Sequence, residues 1–219
     1  MSVPRLAVSW LTSLLGIAFL CISLLAAKEF VRPTADRAAS YPCHDTHPAE
    51  KVTAAVDVYN APPKTDIFAT NYMQEGILPV FVVITNDGDQ PVSVNHMLSE
   101  WVTTRKSKLE ALDVDDVMRR VGHVSGSSNP HPVGPINLPG HGPKNKKAQQ
   151  EYDEITRAMF TAAAVEPHST QSGFLFFDVQ NVRDYLAGAH VYLTGIRDSS
   201  GNELMYFDIA VVPSNAAGP

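Results

Sequence analysis

The 219-residue chain carries 17 Lys and Arg against 23 Asp and Glu, and its basic cluster, Lys144, Lys146 and Lys147, is too short to form the stripe that a polyanion needs. Nucleic acid is excluded as a partner on that ground. Only two cysteines occur, Cys21 and Cys43, and the first lies in an apolar run, so there is no disulfide framework and the folded part must hold together by packing.

Residues 6–27, LAVSWLTSLLGIAFLCISLLAA, contain no charged side chain. About 22 residues rising roughly 1.5 Å each cross a hydrocarbon core of about 30 Å. A cleaved signal has a shorter apolar region, and a cut after Ala27 would leave Leu25 where a small residue is needed. The run is therefore read as a signal anchor, an N-terminal apolar helix. The expected location is the inner membrane, single pass, with the C-terminal domain outside the cytoplasm. A secreted or periplasmic product cut near Ala27 is the alternative. Lipidation of Cys21 is excluded, because Leu20 precedes it and further apolar residues follow.

Residues 28–50, with Pro33, Pro42 and Pro48, read as a poorly ordered linker. From Val52 the apolar period becomes two: Val52, Ala54, Val56 and Val58 alternate with Thr53, Ala55, Asp57 and Tyr59, as in a strand with one buried face. Residues 77–85, ILPVFVVIT, are a β-branched run that predicts a core strand ending at the turn Asn86-Asp87-Gly88-Asp89. That turn is expected to reverse the chain into a strand over 92–104, with Trp101 in the core.

Residues 106–161 read as an insertion. Asp113 can cap a helix whose first turn holds Asp115 and Asp116 and whose last holds Arg119 and Arg120, with Gly122 as its stop and Val114, Val117, Met118 and Val121 as its stripe. A Gly-Pro-rich loop over 123–143 and a second helix over 146–159, with Ala148, Tyr152, Ile155 and Met159 on one face, complete it. Both helices are expected to dock on the same chain, leaving the loop for a protein partner.

Strand-like runs at 162–166, 173–179, 189–196 and 204–212 bring the total to about seven. The expected fold is mainly β, an immunoglobulin-like antiparallel β-sandwich over residues 51–213 with a two-helix insertion, followed by a tail over 214–219. Phe81, Val83, Trp101, Phe174, Phe176, Tyr192, Leu193 and Phe207 are its expected buried or half-buried residues.

Two stretches, residues 84–92 (ITNDGDQPV) and 165–178 (VEPHSTQSGFLFFD), resemble a family of acidobacterial-type bacterial exported or membrane-anchored proteins. The resemblance spans residues 50–212 and implies an immunoglobulin-like domain outside the cytoplasm. It supplies no activity, substrate or catalytic residue.

Chemistry is sparse. Cys43-His44-Asp45-Thr46-His47 is the densest set of metal donors, but Pro42 and Pro48 discourage the helical turn that would bring Cys43, His44 and His47 onto one ion. His123, His131 and His141 fall in or beside the Gly-Pro loop and read as solvated; His96 and His190 read as strand residues. Asp113, Asp115 and Asp116, and the run from Asp198 to Glu203, resemble calcium donors but are explained by a helix cap and a turn. Ser125 misses the spacing of a nucleophile elbow. No catalytic, cofactor-binding or metal residue is assigned. The expected function is a non-enzymatic, membrane-tethered binding or assembly module; the alternatives are a hydrolase with its site under the 106–161 insertion and metal binding through Cys43, His44 and His47.

Overall fold

All ten residues of Ile77–Asn86 are buried, and a strand buried on both faces must be covered by a layer on each side. The computed structural model, which describes residues 29–122 and 146–212, shows both layers. The expectations for residues 6–27 and 123–143 lie outside the described residues, as do His123, Ser125, His131 and His141.

Ten strands occur among the described residues: β1 Cys43–His47, β2 Val52–Val58, β3 Ile77–Asn86, β4 Val92–Ser93, β5 Leu98–Val102, β6 Lys108–Glu110, β7 Ala164–Val165, β8 Ser169–Asp178, β9 His190–Thr194 and β10 Phe207–Ala210. Two helices, α1 Val114–Val121 and α2 Lys146–Ala158, accompany them. One four-stranded sheet runs β1-β2-β3-β8 and a second β10-β9-β5-β6, both antiparallel, while β4 and β7 form a short pair. The fold is therefore mainly β, with two stacked sheets and two helices, consistent with a sandwich.

Pleating divides the first sheet between two cores. Val52, Ala54 and Val56 of β2 and Leu78, Val80, Val82 and Ile84 of β3 meet Trp101, Val191, Leu193, Phe207 and Ile209 of the second sheet. The alternate residues Ala55, Ile77, Phe81, Val83, Phe174 and Phe176 face Phe30, Tyr59, Phe68, Tyr72, Val117, Val121, Ile155 and Ala158. The first sheet is thus the middle layer, and β2 buries two faces where one was expected.

Three expectations are corrected by this packing. Residues 28–50 are not simply a linker: Phe30 is buried, Arg32 donates to the carbonyls of Arg157, Met159 and Ser172, and β1 pairs with β2. The strand expected over 92–104 is divided, because buried Asn86 donates to the Gln90 and Val165 carbonyls and draws β4 onto β7, after which the chain crosses to the second sheet as β5. The insertion contributes β6, which pairs with β5, so it is part of the sandwich from its first residues.

Both helices dock on the same chain, as expected. Asp113 caps α1 by accepting from the Asp116 N–H at 2.7 Å, and Val117 and Val121 are buried. In α2 the buried residues are Glu154, Ile155 and Ala158, whereas Tyr152 is exposed. The helix is therefore rotated from the face its apolar residues suggested, and a carboxylate turns inward.

The exit of α2 explains one of the two resemblance runs. Phe160 donates to the Phe174 carbonyl at 2.9 Å, bringing its backbone over Gly173, where an added Cβ would lie 2.4 Å from the Phe160 Cα. Neither backbone can yield cheaply. Gly173→Ala is expected to cost about 1–3 kcal/mol through overpacking, read as a lower midpoint in urea unfolding; an unchanged midpoint would show that the α2 exit relaxes freely. The other run is likewise structural, since the Asn86 side chain also accepts from Gly88 N–H and Thr85 Oγ1 accepts from Ala38 N–H.

Candidate functional site

The buried charge on α2 marks the place to begin. Glu154 is 3% exposed, and an unpaired carboxylate at that depth is prohibitively costly. Its Oε2 accepts from the Ala69 N–H at 2.6 Å, and its Oε1 from the Thr70 N–H at 3.1 Å and the Tyr72 hydroxyl at 2.9 Å. Burial, and then the neighbouring carboxylate, push the Tyr72 hydroxyl far above the ordinary phenol range, so it remains a donor. Glu154 thus ties α2 to residues 69–75.

That tie forms one wall of a groove of about 650 Å³. The N-terminal strap forms another, entering at Glu29 and Phe30, with Glu29 paired to Arg157 at 2.8 Å and the Phe30 ring stacked on Phe68 at 5.4 Å. Asn71, Gln74, Glu75, Val121, Lys147, Gln150, Glu151 and Asp153 complete the lining. Acidic and amide groups dominate. Asn71 accepts from Gln74 N–H at 3.2 Å and so caps the short helix Tyr72–Glu75 on the rim opposite α2.

The hydrolase alternative looked for a site beneath the insertion, and the groove does lie against α2. Of the carboxylates that line it, Glu29, Glu75, Glu151, Asp153 and Glu154, the buried Glu154 has its oxygens bound by three donors, a geometry that spends that group on structure. Neither Glu154 nor Tyr72 was expected from the sequence to be a functional residue. The polar residue in register with Ile155 and Ala158 was the available signal, since a charged side chain on the buried side of a helix demands partners.

The metal alternative meets the alternation of β1. His44 is exposed and its Nδ1 contacts the Tyr41 carbonyl at 2.6 Å, while Cys43 and His47 belong to the opposite, more buried set. Cys43, Asp45 and His47 instead sew the sandwich edge to β10. Cys43 Sγ accepts from Val212 N–H at 3.2 Å, Asp45 Oδ2 accepts from Asp208 N–H at 2.9 Å, and the His47 ring stacks on Phe207 at 3.9 Å. Among the described residues no group of three His, Cys, Asp or Glu is gathered to hold a metal ion.

A smaller constellation decorates the outer face of the second sheet. His190 Nδ1 lies 2.6 Å from Asp208 Oδ1, and the Tyr192 ring sits between His190 and Tyr206, at 6.2 and 5.8 Å. His96, expected in a strand, stands exposed in the turn between β4 and β5. Asp198 accepts from Ser200 N–H, Asn202 N–H and the Asn202 amide, which is the turn expected of it. Within the described residues no helix is long and apolar enough to cross a membrane.

No family model matches the chain, and no curated protein does. Solved structures that align with it include two of low similarity. The Northeast Structural Genomics Consortium target SoR45 is 10% identical, with 75% of this chain and 89% of that one covered at a TM-score of 0.28. A functionally unknown protein from Listeria monocytogenes EGD-e is 11% identical, with 75% and 78% covered at a TM-score of 0.33.

Proposed function

We propose that this protein is a membrane-tethered, extracytoplasmic binding module, non-enzymatic, in which an immunoglobulin-like sandwich of the acidobacterial exported type presents the groove between α2 and residues 69–75. The observation that carries the reading is the Glu154 lock. It makes a rigid concavity with polar walls while withdrawing its buried carboxylate from chemistry, and rigid, preformed concavities are where ligands bind. The scaffold logic agrees, since binding residues gather where a packed sheet positions the connections around it.

Site-specific photocrosslinking in the producing cell tests this. A photoreactive side chain at Gln150 or Gln74 is expected to give a discrete adduct that the same group at Thr194, on the outer face of the second sheet, does not. Equal labelling from all three positions, or labelling from Thr194 alone, would move the binding surface off the groove.

A further inference from the structure

The place where the strap enters the domain sets how near the groove lies to whatever holds residues 6–27. Glu29 and Phe30 line the groove itself. Phe30 is 5% exposed, wedged between Phe68 and Phe174, and Arg32 ties the next turn of chain to the carbonyls of Arg157, Met159 and Ser172. The strap is therefore part of the helical layer from its second described residue. Only Lys28 separates Glu29 from the apolar run that ends at Ala27. Two residue steps span about 7 Å at most when fully extended, which leaves no room for a tether.

We infer that this short connection holds the rim of the groove at the bilayer surface, so that the module works on a ligand presented there and stands off the membrane with its second sheet outward. The inference rests on the tethered reading above. Exposed apolar side chains occur on both sides, Val31 and Tyr152 on the strap and α2 and Leu98 and Tyr206 at the second sheet, so the orientation is carried by the short connection and not by apolar exposure. The outer face of the second sheet, with Leu98 exposed on β5, lies on the far side of the middle layer.

The full-length protein, carrying Cys21→Ala and with Cys43 left buried, is labelled with a fluorophore through Gln150→Cys or Leu98→Cys. It is then reconstituted in vesicles of phosphatidylethanolamine and phosphatidylglycerol that contain a spin-labelled headgroup lipid. Circular dichroism establishes that both variants fold. Severalfold stronger quenching at position 150 than at position 98 is expected, and a long Gly-Ser linker placed between Lys28 and Glu29 is expected to erase the difference. Flotation separates the two ways of failing. Protein that does not float with the vesicles overturns the tethered reading together with this inference. Protein that floats but is quenched equally at both positions overturns the inference alone, as does an asymmetry that survives the linker.

Discussion

Phe174→Ala is expected to cost about 3–5 kcal/mol, read as a fall in the urea midpoint. Phe174 is fully buried, and its ring lies 4.9 Å from Tyr59, 5.0 Å from Phe68 and 5.0 Å from Phe81, with Phe30 at 6.2 Å. Removing it empties the junction of four elements at once: β3, β8, the 59–68 connection and the strap. Because the strap holds on through Phe30 and Arg32, its proteolytic sensitivity at exposed Val31 should rise along with the global loss. Tyr152→Ala on the exposed side of α2 is the contrast, expected within about 0.5 kcal/mol of the parent. A Phe174→Ala loss no larger than that would mean the helical side of the sheet is not a core.

The residues that make this core were legible one by one, and the layer they form was not. Periodicity placed Phe81, Val83, Trp101, Phe174, Phe176, Leu193 and Phe207 inside, and all are buried. What periodicity does not carry is the partner of each face. The run 77–85 announced a core strand, yet only the fold shows that both its faces are buried and that its second cover is α1, α2 and the strap. Composition misled at residues 28–50, where three prolines suggested a linker; Phe30 and Cys43 were the apolar residues spaced to dock. The strand expected over 92–104 failed for a related reason. An Asn side chain that bonds two carbonyls forward in the chain can steer it between sheets, and a turn motif alone does not distinguish that from a hairpin. The runs 84–92 and 165–178 both hold close structural contacts, at Asn86 and at Gly173.

The same blindness hid Glu154, and its replacement is the second large effect expected. Glu154→Leu keeps the volume and removes the acceptor, leaving the Ala69 and Thr70 N–H groups and the Tyr72 hydroxyl without a partner. Each buried orphan costs about 1–3 kcal/mol; water entering from the groove can reach the two backbone groups, so a total near 3 kcal/mol is expected, again from urea unfolding. Glu154→Gln retains one oxygen that accepts from two of the donors and turns an amide N–H₂ toward the third, for a loss of about 1 kcal/mol. A double-mutant cycle isolates the hydroxyl: Tyr72→Phe should cost measurably less in the Glu154→Leu background than alone, because its partner is already gone. If Glu154→Leu left stability unchanged while abolishing the crosslink at Gln150, the carboxylate would be serving the ligand, and the groove would have to be redrawn around it as a binding residue in place of a lock.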